Sequence, residues 1–248
     1  MTKTSFVAIV QTRMGSTRLP GKVLKDLGGD AVLARVVHRL RRAHLLNEIV
    51  IATTISPADD SIVRECERLA VQCFRGSEQD VLDRYYQTAK AFSAEAVVRV
   101  TSDCPLIDGE LIDATIRTFL DQKADYSSNN IPRTYPRGLD AEVFTFAGLE
   151  RTWREAVKPY EREHVTPYFY EHPELFRMAS AQGEKDYSAY RWTLDTPEDL
   201  ELIRAIYSRL GNRDDFGWRE ALAVMEREPD LAQINAHIVQ KHYTEVAK

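Results

Sequence analysis

The chain has 248 residues, 44% hydrophobic and 29% charged, which is an ordinary globular balance and is compatible with one large α/β domain. The net charge of −5 hides an asymmetry: residues 1–47 hold nine lysines and arginines against two aspartates, and the remainder is strongly acidic. That distribution argues against non-specific binding to nucleic acid, which needs an extended basic surface, and suits a compact polyanion near the start of the chain. The longest apolar opening run, Phe6 to Val10, is too short for a signal peptide or a membrane span. Cys66, Cys73 and Cys104 are odd in number and form no CxxC pair, so reduced thiols in the cytoplasm and no zinc site are expected.

Apolar runs of strand length alternate with helical patterns through the first half. Strands are expected at 5–10, 48–53, 71–74 and 96–101, and helices at 31–43, 59–70, 80–92 and 109–120. Such alternation predicts a Rossmann-like α/β fold, a mostly parallel sheet flanked by helices. After residue 121 polar turns (127–138) lead to 139–146, which alternates like a half-exposed strand. Further strands are expected at 176–181 and 190–194, a helix at 196–210, and helical structure over the last thirty residues. The second half therefore reads as an α+β elaboration on the parallel core. Residues 211–248 form a C-terminal extension without a motif that carries chemistry.

The stretch 11–22, QTRMGSTRLPGK, directly follows the first strand. Ligands bind at the carboxyl ends of strands in open parallel sheets. Gly15 and Gly21 let the backbone approach a phosphate, Arg13, Arg18 and Lys22 supply charge-assisted donors, and Ser16 and Thr17 add hydroxyls. The stretch is not a Walker A loop, because five residues separate Gly15 from Gly21 and Val23 follows Lys22. The GxGxxG fingerprint is also absent. A solvated, basic βα connection is the competing reading.

Asp103 follows the fourth strand and so lies at the same sheet edge. Asp195 precedes Thr196-Pro197, where Thr196 reads as a helix N-cap and Asp199 completes something close to a capping box. Capping thus leaves Asp195 unexplained. Each aspartate alone also reads as a turn residue.

The arrangement Arg13-Met14-Gly15-Ser16-Thr17-Arg18-Leu19-Pro20-Gly21-Lys22 resembles the nucleotide-binding signature of the cytidylyltransferases that make CMP-activated sugar acids, such as CMP-Kdo synthetase and acylneuraminate cytidylyltransferase. Those families usually open with Pro-Ala where this chain has Gln11-Thr12. The segments 74–86, 101–108, 136–144 and 161–173 are similar to the spore coat polysaccharide biosynthesis protein F branch.

The resemblance implies a single nucleotidyltransferase domain of the nucleotide-diphospho-sugar type, usually homodimeric, which takes CTP and a sugar or sugar acid. It implies that Asp103 and Asp195 bind Mg²⁺ and that Arg75, Gly76 and Ser77 form part of the nucleotide pocket, a plain βα turn being the alternative. Asp140 and Glu142, two apart in an expected strand, share a face; they are candidates for sugar hydroxyls or simply an exposed stripe. His164 is a candidate for the sugar carboxylate or for a base, and Arg133, Arg137 and Arg191 are candidate carboxylate clamps. Arg84 reads as a surface cation. Two other functions compete: a glycosyltransferase using a preformed nucleotide sugar, and a non-catalytic nucleotide-binding protein.

Overall fold

Five of the six residues of β1 (Phe6–Gln11) are buried, which is why this strand is continuously apolar rather than alternating. The computed structural model describes residues 4–240 and 244. β1 pairs in parallel with β2 (Glu48–Thr54) on one side and β4 (Ala96–Thr101) on the other, and β3 (Gln72–Gly76) pairs in parallel with β2 at the edge. Strand periodicity sorts the core into two layers. Ala8 and Val10 face the cluster built with α1 (Val32–Leu40), α2 (Asp60–Arg68) and α4 (Gly109–Asp121), while Val7 and Ile9 face the cluster built with α3 (Val81–Ala91). Helices on both faces leave the strands' carboxyl ends open as a shared edge.

Beyond α4 the sheet adds β5 (Tyr126–Ser128), β6 (Glu142–Thr145) and β7 (Met178–Ser180), giving seven strands in the order β3-β2-β1-β4-β6-β5-β7. β6 lies antiparallel between β4 and β5, while β5 and β7 are parallel. The expected half-exposed strand at 139–146 is therefore corrected: Glu142, Val143 and Phe144 are all buried in an interior strand. β5 overlaps the start of the stretch read as polar turns, at Ser127 and Ser128. The expected strand at 190–194 reduces to one bridge between Arg137 and Arg191. Three helices follow β6: α5 (Phe146–Glu155), α6 (Pro159–His164) and α7 (Pro167–Glu171). α5 begins where the Thr145 hydroxyl accepts the Gly148 amide at 3.0 Å.

The described part of the C-terminal extension belongs to the core rather than standing apart from it. α8 (Pro197–Arg209) and α9 (Trp218–Arg227) enclose a third apolar cluster with Leu106, Leu111, Leu139, Trp192 and Leu194. The buried Arg39 of α1 donates to the carbonyls of Ile107 (2.7 Å) and Phe216 (3.1 Å), and the Trp218 amide donates to Asp108 at 2.7 Å. Helical structure expected over the last thirty residues is found in α9 and a 3-10 turn at Pro229–Gln233. Residues 234–240 are not helical, and the remainder apart from Thr244 lies outside the described residues. No helix among the described residues is long and apolar enough to cross a membrane.

Candidate active site

The loop after β1 is held from beneath by Asp59. This carboxylate is buried, accepts the hydroxyls of Thr53 (3.0 Å) and Thr54 (2.6 Å), and takes the Met14 amide at 2.8 Å. The Met14 carbonyl then accepts the amides of Ser16 and Gly21 at 2.9 and 3.2 Å, folding the loop back on itself. Gly21 sits at φ +66°, a left-handed conformation that costs a side-chain residue strain. Gly15 has ordinary backbone, and a Cβ there would meet only the Arg13 side chain, at 4.0 Å. The Ser16 hydroxyl oxygen accepts the Leu19 amide at 3.3 Å. Arg13 is exposed and has no hydrogen-bond or ion-pair partner among the described residues.

Lys22 opens a short 3-10 turn, and its ammonium reaches two aspartates that are 92 positions apart in sequence. It donates to Asp103 Oδ2 at 2.9 Å, to Asp195 Oδ1 at 2.8 Å and to the Leu194 carbonyl at 2.8 Å. The two aspartate segments are also stitched by backbone: the Leu194 amide donates to the Asp103 carbonyl at 2.8 Å. Asp103 Oδ1 accepts the Thr101 hydroxyl at 2.5 Å. Asp195 Oδ2 receives Arg18 at 3.2 Å and Arg191 at 3.1 Å. Thr196 caps α8 by accepting the Asp199 amide at 3.2 Å, and the Asp199 carboxylate returns bonds to the amides of Asp195 and Thr196. The capping box is complete without Asp195, whose carboxylate is left to face the cations.

Burial works to raise the Asp103 carboxyl, but the Lys22 ammonium and the Thr101 hydroxyl outweigh it and hold the group down at about 2. Burial likewise works to lower Lys22, and the charges of Asp103 and Asp195 outweigh it, so the ammonium is raised. Asp103 and Lys22 are therefore both charged at neutral pH.

The donor set fits Mg²⁺. Two hard carboxylates converge on one cation position, and Mg²⁺ is ordinarily held by one or two carboxylates together with substrate phosphates and water. No group of three or more His, Cys, Asp or Glu able to hold a metal occurs among the described residues.

The other sequence candidates divide sharply. Arg75 is tied to the end of β2 and the turn beyond it, donating to the carbonyls of Thr54 (2.9 Å) and Ser56 (2.8 Å) and pairing with Asp60 at 2.7 Å. Gly76 closes β3, and the Ser77 hydroxyl accepts the Asp80 amide at 3.0 Å. Arg84, read as a surface cation, is buried and donates to the Ser77 carbonyl; it supports this turn from below. Glu142 is not on an exposed stripe. It is buried, paired with Arg99 of β4, and accepts the Tyr126 hydroxyl at 2.5 Å. Asp140 precedes β6 and is held by a bidentate Arg133. His164 ends α6, a helix anchored to the start of α3 by the Arg162–Asp80 pair.

The three candidate clamps are now distinct. Arg133 is committed to Asp140, and Arg191 to Asp195 and Asp199. Arg137, half-buried, has no side-chain hydrogen bond or ion pair among the described residues. Its own backbone is fixed by the Tyr190 carbonyl (3.0 Å) and the Trp192 amide (2.6 Å). The next residue, Gly138, sits at φ +105° with the Trp192 carbonyl carbon 2.5 Å from where a Cβ would stand. Sequence reasoning missed Asp59, Arg191's role beside Asp195, and Arg84's burial. Asp59 read as part of a helix start, and nothing in the sequence pairs residue 191 with 195 or 199 before the turn is built.

A basic loop at the carboxyl edge of an open α/β sheet, facing two aspartates that a lysine already spans, defines a nucleotide-handling enzyme of the nucleotidyltransferase class. The chain belongs to the cytidylyltransferase family, whose model matches residues 7–231. It is 38% identical to the spore coat polysaccharide biosynthesis protein SpsF of Bacillus subtilis over 90% of this chain and 95% of that protein. It superposes on a cytidylyltransferase from Leptospira borgpetersenii serovar Hardjo-bovis with a TM-score of 0.87 at 33% identity, covering 97% and 99% of the two chains. A CMP:2-keto-3-deoxy-manno-octonic acid synthetase solved with CTP shares the fold at 15% identity, with a TM-score of 0.66 over 84% of this chain and 100% of that one.

Proposed function

We propose that the enzyme transfers the cytidylyl group of CTP to a hydroxyl of a sugar or sugar acid and releases pyrophosphate, for surface polysaccharide or glycan synthesis. In this reading the acceptor oxygen forms a bond to the α-phosphorus, its proton leaves to solvent, and the bond from the α-phosphorus to the bridging oxygen of pyrophosphate breaks. The observation that carries the reading is the meeting of Lys22, Asp103 and Asp195 at the mouth of a loop rich in uncommitted donors. Arg13, Ser16, Arg18 and Lys22 hold the triphosphate, with the amides of Gly15 and its neighbours close to its oxygens. Asp103 and Asp195 hold Mg²⁺, which supplies neutralisation of phosphate charge as the bond to pyrophosphate breaks. The turn Arg75-Gly76-Ser77 offers backbone groups to the base. Asp140 and Arg137 face the acceptor side, Arg137 at its bridge to Arg191.

The glycosyltransferase reading lacks its metal motif, because Asp103-Cys104-Pro105 has no second aspartate. A non-catalytic nucleotide-binding role has no support from a missing Lys22 or Asp103. We further propose a cytoplasmic homodimer; a single-chain mass by light scattering at micromolar concentration would rule out the dimer. The deciding experiment is pyrophosphate release across the four NTPs with Mg²⁺ and a panel of ulosonic, sialic-type and phosphorylated sugars. Release with CTP and one acceptor class is expected. Hydrolysis of a preformed nucleotide sugar, with no release from any NTP, would reverse the assignment.

A further inference from the structure

We propose that Lys22 couples nucleotide binding to metal binding: in the nucleotide-free enzyme its ammonium occupies the position between Asp103 and Asp195, so the divalent cation enters only with the triphosphate. The inference rests on the metal site proposed above and concerns what this chain's own lysine does there. The geometry is unusually complete for a lysine. Its three N–H groups are all used, by Asp103 at 2.9 Å, Asp195 at 2.8 Å and the Leu194 carbonyl at 2.8 Å, and its side chain is only 12% exposed. The remaining carboxylate oxygens are taken too: Thr101 bonds Asp103, while Arg18 and Arg191 pair with Asp195.

Charge decides which cation wins. Two carboxylates face three fixed cations, Lys22, Arg18 and Arg191, the last shared with Asp199. A dication arriving alone must displace an ammonium that already satisfies both aspartates, and it enters a site whose formal charge is not negative. A triphosphate changes both conditions at once. Lys22 and Arg18 belong to the loop proposed to bind it, so the same anion that draws these two cations away from the aspartates brings its own negative charge to the metal. Nucleotide and metal affinity are then linked, each strengthening the other by the same factor.

Lys22→Met tests this directly, because it keeps most of the side chain's length and removes the charge. The readout is the electron paramagnetic resonance signal of free Mn²⁺, titrated into metal-stripped protein without nucleotide, with circular dichroism to verify the fold. The variant should bind Mn²⁺ about tenfold or more tightly than the wild type, within the usual range of site-to-site coupling. Lys22→Arg should retain the wild-type exclusion, and adding Asp103→Asn to Lys22→Met should abolish the gain. Nucleotide-free wild type that binds Mn²⁺ as tightly as Lys22→Met overturns the proposal, and that comparison needs no more than one variant to fold. A further arm separates the two claims: Mn²⁺ binding by the enzyme with α,β-methylene-CTP. If Asp103→Asn abolishes that enzyme-dependent binding while Lys22→Met gains nothing without nucleotide, the metal site stands and the coupling falls. If Asp103→Asn leaves the enzyme-dependent binding intact, the metal site itself falls.

Discussion

The loop leaving β1 and the segment where β3 ends carry the same ingredients, Arg13-Gly15-Ser16 in one and Arg75-Gly76-Ser77 in the other, at the same edge of the same sheet. Their partners differ. Arg75 spends its guanidinium on two carbonyls at and just beyond the end of β2 and on Asp60, and Ser77 closes its own turn. Arg13 is exposed with no partner among the described residues, and Arg18 reaches only Asp195. A loop that satisfies its own donors can present backbone edges in a fixed shape, which suits a neutral base. A loop that leaves donors unspent keeps charge available, which suits a polyphosphate. Composition cannot tell these apart; the hydrogen-bond inventory can.

The largest expected effects come from the charges that the first loop faces. Asp103→Asn and Asp195→Asn should each fold normally, since size is nearly conserved, and each should lose turnover roughly 100-fold or more, on the scale of removing one group that stabilises transition-state charge. Because both serve one proposed metal, the double variant should be much less damaged than the two losses combined. Turnover at saturating CTP and rising Mg²⁺ measures this, and additive losses would separate the two aspartates. Next in size, Lys22→Ala and Arg13→Ala should each weaken CTP binding by about 1.5–3 kcal/mol, the usual value of a charge-assisted contact. Calorimetric titration with CTP reads it directly; unchanged affinity in both would return the first loop to a solvated connection.

The parallel half and the shared edge were legible from the sequence because the physics there is local: buried strands are continuously apolar and their helices amphipathic. Asp103 and Asp195 could be singled out because one follows a strand and the other stands beside a cap that does not need it. What the sequence concealed is pairing between distant segments. Glu142 looks like half of an exposed stripe until β6 is inserted between β4 and β5, which buries it against Arg99 and Tyr126. Arg84 looks like a helix-surface cation until the Ser77 turn covers it. Arg133, Arg137 and Arg191 are indistinguishable as letters and are separated only by which of them finds a carboxylate.

That separation supplies a smaller test. Arg137→Ala should raise KM for the sugar acceptor about tenfold, as for loss of one charge-assisted contact, while the Kd for CTP changes little. Equal losses for both substrates would place Arg137 on the nucleotide side instead.

The smallest expected effect is the most informative about the two loops. Arg75→Ala removes a cation from the same sheet edge as Arg13, so a purely electrostatic account of CTP binding predicts comparable losses. The bonding pattern predicts otherwise. Arg75 already neutralises Asp60 and caps two carbonyls, and its side chain is 34% exposed, so most of its charge is answered within the protein or by solvent. Its removal should cost stability by about 1 kcal/mol, as for a partly exposed ion pair and its hydrogen bonds, seen as a modest fall in the urea midpoint. CTP affinity should stay within about twofold, equivalent to less than about 0.5 kcal/mol. A loss of affinity matching that of Arg13→Ala would mean that Arg75 leaves its carbonyl partners to meet the nucleotide, and the contrast between the loops would then lie in motion rather than in composition or bonding.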